Sequence, residues 1–147
     1  MDAVSRSSPS PNKRLVRSFD TSRERPAPAS FTGKTLAGEP VTHQFDRLTL
    51  LVAVKNMCDG CRDFVQSELH ELAALQVVIV SATGDETGEW EGAPRQVIVA
   101  PDVLRELDIR WPPFYVLIDP SRAAVVTEGV VFGPSQVAEE ISTFLSS

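Results

Sequence analysis

Cys58 and Cys61 are the only cysteines among 147 residues, and two residues separate them. They follow an apolar run at residues 50–54 and open a stretch in which apolar residues recur at helical spacing. A strand that runs through C-x-x-C into a helix places the first sulfur at the helix N-terminus. There the free N–H groups and the helix dipole favour a thiolate. The second sulfur lies one turn further on, so the motif predicts a thiol–disulfide exchange site.

Two other interpretations of the cysteine pair stay open. The cysteines can be inert core residues, or they can be half of a metal site, and zinc normally takes four N or S ligands. The remaining candidates are His43 and His70. His70 falls on the same predicted helix as Cys61, roughly 13 Å along the axis, and His43 alone does not complete a site. A metal would therefore have to bridge two chains.

Charge is unevenly distributed along the chain. Residues 1–30 hold six basic and three acidic side chains, whereas the remainder holds eight basic and seventeen acidic ones. An acidic body argues against nucleic acid as a partner. No stretch approaches the 18 apolar residues of a membrane span. With 42% hydrophobic residues, the chain has enough apolar material for one folded domain.

The first thirty residues differ in composition from the rest. Residues 1–30 are rich in Ser, Pro and Arg and poor in apolar side chains, which predicts a disordered tail followed by a domain at residues 31–147. No apolar segment of the kind found in export signals follows Lys13 and Arg14. We therefore expect the protein in the cytoplasm, where a lone C-x-x-C is more often catalytic than structural.

The apolar segments predict alternating strands and helices. Strands are expected at residues 31–35, 41–45, 48–54, 77–80, 114–118, 124–126 and 130–132, and helices from the cysteine pair through Leu75, from Pro101 and after Ser135. Gly129 suggests a bulge. The acidic segment 84–92 is expected to be a solvated loop whose Trp90 either covers the rim of the site or packs on a neighbouring surface. This order predicts a mixed sheet with helices on both faces and a right-handed parallel crossover.

A proline pair precedes the predicted strand at residues 114–118. The segment 108–119, D-I-R-W-P-P-F-Y-V-L-I-D, is similar to the signature G-V-x-G-x-P-T-x-F-L-I-D. With the upstream C-x-x-C, residues 31–147 resemble the thioredoxin-like superfamily, in its redoxin or TlpA-like thiol–disulfide oxidoreductase branch. The resemblance implies an α/β thioredoxin fold, with a central mixed sheet flanked by helices on both faces and an N-terminal β extension. It also places Pro113 on the family's cis-proline.

The resemblance further implies where a substrate binds. The family's cis-proline lies against the cysteine pair, so the backbone at Trp111, Pro112 and Pro113 would hold an extended polypeptide beside Cys58 by strand addition. Trp111 is then either a rim contact for substrate or a core residue. The alternative is that the two prolines only stiffen a loop.

The expected reaction passes through a mixed disulfide. Cys58 as a thiolate attacks a substrate disulfide, and Cys61 then attacks Cys58 to release the reduced substrate. Asp59 should raise the pKa of Cys58, while Lys55 and Arg62 oppose it. We therefore expect a disulfide reductase or a couple of intermediate potential, with no cofactor besides the redox-active disulfide. Its expected partners are a protein disulfide and an upstream reductant, and a monomer is expected.

Some residues depart from the family pattern. Met57 stands where thioredoxins have Trp, and Val52 occupies the position of their buried Asp. These departures support the competing class, a non-catalytic thioredoxin-fold adaptor. A thiol peroxidase is less favoured, because Lys55 replaces the Thr three residues before the peroxidatic Cys. A copper chaperone lacks its distant histidine, since none follows His70.

Overall fold

The computed structural model describes residues 24–145, and most of its elements follow the apolar segments of the sequence. The strands are β1 Arg25–Pro26, β2 Ser30–Lys34, β3 Pro40–Gln44, β4 Thr49–Val54, β5 Gln76–Ser81, β6 Val97–Val99, β7 Phe114–Asp119 and β8 Ala124–Val130. The helices are α1 Asp59–Gln66, α2 Pro101–Glu106 and α3 Pro134–Leu145, with a 3₁₀ turn at His70–Leu72.

These strands form one mixed sheet with the order β1-β8-β7-β4-β5-β6-β2-β3. Strand β4 runs parallel to β5 and antiparallel to β7. All six residues of β4 are buried, as expected for a central strand covered on both faces. The strands expected at residues 31–35 and 41–45 are β2 and β3, which pair antiparallel as a hairpin from Ser30↔Gln44 to Lys34↔Pro40.

Alternate side chains of β4 enter two separate cores, because successive residues of a strand point to opposite faces. Val52 and Val54 belong to the core beneath α1 and α3, whereas Leu51 and Ala53 belong to the core beneath α2. Burying both faces accounts for the unbroken apolar run in the sequence. The prediction of helices on both faces of a mixed sheet is confirmed.

The helix after the cysteines is shorter than its periodicity predicts. Helix α1 ends at Gln66, and Leu69 takes a left-handed conformation with φ 57°. The Ser67 hydroxyl accepts the Leu69 N–H, which competes with the helical hydrogen bonds. His70 therefore lies on the separate 3₁₀ turn, and the prediction that it shares a helix with Cys61 is wrong.

The sheet begins before the predicted domain boundary at residue 31. Strand β1 pairs with β8, and Arg25 forms an ion pair of 2.6 Å with Glu128. The guanidinium of Arg25 also donates to the carbonyl of Leu107 at 2.8 Å. Residues 24–30 are thus part of the fold rather than of a disordered tail. Residues 1–23 of the predicted tail lie outside the described residues.

Gly129 is not a bulge. The register of β7 and β8 shifts between Leu117 and Ile118, and Gly129 lies directly opposite Tyr115 in regular pairing. A Cβ at Gly129 would approach the Tyr115 ring to 2.9 Å. Glycine is needed here because the aromatic ring occupies the space of its side chain.

Candidate functional site

The two sequence motifs meet at one end of the sheet. Cys58 follows β4 after a three-residue loop and caps α1, while Pro113 precedes β7. Strands β4 and β7 are antiparallel, and Ala53 lies opposite Phe114. The end of β4 that leads to the cysteines is therefore next to the start of β7. This topology places the cysteine pair and the proline pair on neighbouring strands.

Cys58 and Cys61 form a disulfide, with their Cα atoms 5.2 Å apart. The two residues differ in exposure: Cys58 is half-buried, whereas Cys61 is fully buried in the core that contains Phe64 and Trp90. Of the two residues, only Cys58 therefore has surface that an approaching molecule can contact.

Each sulfur accepts a backbone N–H group. Cys58 is the N-cap of α1, and its Sγ accepts the Cys61 N–H at 3.2 Å, as an N-cap side chain does at the third helical position. The Sγ of Cys61 accepts the N–H of Lys55 at 3.5 Å. These donors favour the thiolate form of either cysteine when the disulfide is reduced.

The charged residues that flank the pair are exposed. Arg62 lies 3.5 Å from Asp59 and 3.8 Å from Asp63, so its guanidinium is shared between two carboxylates. The Lys55 side chain is exposed as well. The predicted roles of Asp59, Lys55 and Arg62 in tuning the thiol stay predictions.

The proline segment borders the site from β7. The Pro112–Pro113 peptide bond is cis, as the resemblance implied, and the Pro113 carbonyl accepts the N–H of Val131 at 3.1 Å. Trp111 is 80% exposed, which excludes core packing. Within residues 24–145, no hydrogen bond involves the Trp111 backbone. Its polar groups are therefore open to an incoming strand.

Three large apolar side chains are exposed on the segments around the disulfide, and we call them the apolar rim: Met57 (81% exposed), Trp111 and Phe132 (78%). Gln136 fixes the segment that carries Phe132. Its side-chain oxygen accepts the N–H of Phe132 at 2.8 Å, and its side-chain nitrogen donates to the Val130 carbonyl at 2.9 Å. Large apolar side chains that are this exposed do not contribute to the core and are candidates for an interaction surface.

The acidic segment 84–92 is fastened to the site, which the sequence analysis missed. Trp90 is only 2% exposed and lies in the core with Cys61, so its ring packs inward. Gln66 of α1 donates to the carbonyls of Glu89 and Glu91, both at 3.0 Å. A large aromatic residue inside an acidic run was the signal that this loop is anchored.

Neither histidine lies with the cysteines. His43 packs against Phe31 and Phe45, with ring centroids 5.7 and 5.3 Å away, and burial lowers its pKa. His70 is exposed on the 3₁₀ turn. Among residues 24–145, no three His, Cys, Asp or Glu side chains are grouped to hold a metal ion. In the same range no helix has the length and apolar character to cross a membrane.

Comparison with solved structures identifies the fold. The thioredoxin domain of a thiol-disulfide oxidoreductase from Bacteroides vulgatus superposes with a TM-score of 0.60 at 21% identity, covering 83% of this chain and 96% of that one. A thioredoxin-family thiol:disulfide interchange protein from Chlorobium tepidum gives 0.59 at 18% identity, covering 83% and 98%. A secreted disulfide oxidoreductase from Mycobacterium tuberculosis gives 0.56 at 15%, covering 77% and 95%. No family model and no curated protein matches the chain. The likenesses show that the chain has the thioredoxin fold.

Proposed function

We propose that the protein is a thiol–disulfide oxidoreductase that acts on disulfides of other proteins through Cys58 and Cys61. The observation that carries this proposal is the asymmetry of the pair, with a half-buried cysteine at the N-terminus of α1 bonded to a fully buried one. The thiol–disulfide chemistry named for the structural neighbours supports it. The accessible sulfur suits capture of a substrate, and the buried sulfur suits its release.

In the first step the reduced pair attacks the substrate. The Cys58 thiolate, stabilised by the Cys61 N–H and the helix N-terminus, displaces one sulfur of the substrate disulfide. A bond forms between Cys58 and the substrate, and the displaced sulfur leaves as a thiolate that takes up a proton.

In the second step Cys61 resolves the mixed disulfide. Its thiolate, held by the Lys55 N–H, attacks the Cys58 sulfur, and the second substrate sulfur leaves as a thiolate. Two electrons have then passed from the dithiol to the substrate, and the Cys58–Cys61 disulfide is formed. A dithiol donor must reduce this disulfide before the next turnover.

The apolar rim and the Trp111 backbone form the proposed docking surface. An extended polypeptide can pair with the open N–H and carbonyl groups of Trp111 by strand addition, while its side chains contact Met57 and Phe132. Such a surface accepts many sequences, because main-chain pairing supplies much of the binding. We propose that Pro112 and Pro113 contribute by aligning this edge with Cys58.

Reduction is the proposed direction. Asp59 and Asp63 hold the guanidinium of Arg62, so that cation is not left free to stabilise the Cys58 thiolate. Strong oxidants depend on a very stable thiolate. We propose a monomer that works in the cytoplasm with an upstream reductant; cell fractionation and mixed-disulfide trapping are the tests.

Reduction of insulin disulfides by dithiothreitol tests the function. Cys58→Ser and Cys61→Ser form a matched pair, because each removes the same disulfide and any loss of stability is shared. We expect both to lose turnover, and only Cys61→Ser to accumulate a mixed disulfide with a disulfide-bonded peptide, detected by mass spectrometry. Equal insulin reduction by wild type and Cys58→Ser would refute the proposal and favour the adaptor.

A further inference from the structure

We propose that Glu89 is a positioning residue for Cys58, which fixes the backbone before the nucleophile and places a negative charge beside it. This inference rests on the proposed function. Glu89 is 31 residues beyond Cys58 in sequence, on the acidic segment 84–92. Its Oε1 atom accepts the N–H of Met57, the residue immediately before Cys58, at 3.1 Å.

The bond matters because of the conformation of Met57. Its φ is 57°, in the left-handed region that a non-glycine residue adopts only at a cost in free energy. Cys58 then returns to an extended conformation, with φ −138° and ψ 110°, as an N-cap residue must. The left-handed residue thus turns the chain from the end of β4 into α1. A hydrogen bond to its N–H holds that turn in place.

Glu89 is itself held from both sides. Gln66 of α1 donates to the Glu89 carbonyl at 3.0 Å. The N–H of the next residue, Trp90, donates to Asp85 at 3.1 Å, and the Trp90 ring is anchored in the core. The carboxylate is therefore presented to Met57 from a fixed backbone rather than from a loose loop.

A second set of bonds joins the same two segments. The side-chain nitrogen of Asn56 donates to Thr83 Oγ1 at 3.0 Å and to the Gly84 carbonyl at 2.9 Å. Its oxygen accepts the Glu86 N–H at 2.9 Å. Asn56 and Met57 are thus both bound to the acidic segment. The nucleophile is therefore held by α1, which it caps, and by the acidic segment, to which the two preceding residues are bound.

The negative charge of Glu89 should also affect the ionisation of Cys58. A carboxylate next to a thiol disfavours the thiolate, so Glu89 opposes the N–H donor and helix terminus that stabilise it. The charged residues that flank Cys58 in sequence are Lys55, Asp59 and Arg62, and Glu86 of the loop contacts the neighbouring Asn56 through its backbone N–H. Asp59 and Arg62 pair with each other, which leaves Glu89 as the carboxylate bonded to the chain at the nucleophile. A less stable thiolate makes the dithiol a stronger reductant.

Glu89→Gln separates charge from position, because the amide oxygen still accepts the Met57 N–H. We expect the pKa of Cys58 to fall by roughly half a unit, with about a threefold rise in the thiolate fraction at neutral pH. The rate of alkylation of the reduced protein by iodoacetamide as a function of pH measures it. Glu86→Gln is the matched control, since it removes the same charge from the same loop without touching Met57. An unchanged pKa in Glu89→Gln, or an equal change in Glu86→Gln, overturns the charge role.

Glu89→Ala tests the positioning role. It removes the acceptor as well as the charge, and we expect kcat/KM for insulin reduction to fall severalfold below that of Glu89→Gln. Equal kcat/KM in the two variants would overturn positioning. If Glu89→Ala fails to fold, Glu89→Asp and Glu89→Gln are compared instead, because the shorter side chain keeps the charge and withdraws it from Met57. Equal kcat/KM there overturns positioning in the same way.

The two proposals fail separately. Alkylation reports the ionisation of Cys58 whether or not the protein reduces any disulfide. A fall in the pKa without insulin reduction by wild type would leave the Glu89 charge effect standing and refute the proposed function. Insulin reduction by wild type, together with an unchanged pKa of Cys58 in Glu89→Gln, would leave the proposed function standing and refute the Glu89 charge effect.

Discussion

Replacing Gly129 by alanine places a methyl group against a ring that is already enclosed. The new Cβ would lie 2.9 Å from Cε2 and 3.1 Å from the hydroxyl of Tyr115, and 3.2 Å from Oε1 of Glu140. Tyr115 is 1% exposed, and its hydroxyl donates to Glu140 at 2.7 Å. The ring must therefore move by a few tenths of an ångström and weaken that hydrogen bond.

The magnitude follows from three contributions. Overpacking a buried site costs about 1–3 kcal/mol, and weakening a hydrogen bond costs up to about 1 kcal/mol. Alanine lowers the entropy of the unfolded chain relative to glycine, which returns about 0.4–1 kcal/mol. We expect Gly129→Ala to lower the free energy of unfolding by about 2 kcal/mol, which moves the urea midpoint by roughly 1 M.

Urea unfolding of the oxidised protein, followed by far-ultraviolet circular dichroism, measures the effect. Gly60→Ala is the matched control, because nothing lies within 4 Å of its Cβ and the residue is helical. We expect that variant to be as stable as wild type or more so. In a Tyr115→Leu background the cost of Gly129→Ala should disappear. An unchanged midpoint for Gly129→Ala, or a cost that persists without the ring, would refute the reasoning.

Two further predictions concern stability. Gly33→Ala should cost at least about 2 kcal/mol, because its Cβ would lie 2.6 Å from the Val99 carbonyl oxygen and 2.8 Å from the Ala100 Cβ; a urea midpoint equal to that of wild type would contradict this. Burial lowers the pKa of His43, so the folded state binds fewer protons than the unfolded state and stability should fall as the pH drops below about 6.5. His43→Gln should flatten the dependence between pH 7.5 and 5.5, and exposed His70→Gln should not; the same slope in all three proteins would count against the assignment.

The sequence was sufficient for the central strands of the sheet and for the centre of the site, whereas the short strands β1 and β6 were not predicted. The unbroken apolar run at residues 50–54 favours a central strand, because a strand with no polar residue on either face must be covered on both faces. A strand that enters a helix through C-x-x-C fixes where the two sulfurs lie. Pro113, taken from the family signature, is in a cis peptide as the resemblance implied.

Periodicity failed where two different conformations bury the same face. Leu69 and Leu72 continue the apolar spacing of α1 and are both buried, yet the helix ends before them. Because a 3₁₀ turn also repeats about every three residues, the apolar pattern does not distinguish it from a continued helix. The helix ends because of a local hydrogen bond to the Ser67 hydroxyl, and the apolar pattern does not reveal that bond.

Composition failed for the acidic segment and for the start of the domain. Segment 84–92 is polar enough to be solvated, but the contacts of Trp90, Asn56 and Gln66 hold it against α1. Arg25 sits in a Ser- and Pro-rich stretch, and its strand pairing with β8 and its ion pair with Glu128, both far away in sequence, show that it belongs to the sheet. Long-range partners of this kind leave no local pattern in the chain.

The placement of the two tryptophans means that their fluorescence should report on the state of the site. Trp90 shares its enclosed environment with Cys61, while Trp111 faces solvent beside the proline pair. Opening and closing of the sulfur bridge should alter the blue-shifted emission of the first indole. Arrival of a polypeptide should shift the red-shifted emission of the second. Variants that keep only one tryptophan would therefore report the oxidation state of the cysteine pair and the binding of a polypeptide separately, without an added dye.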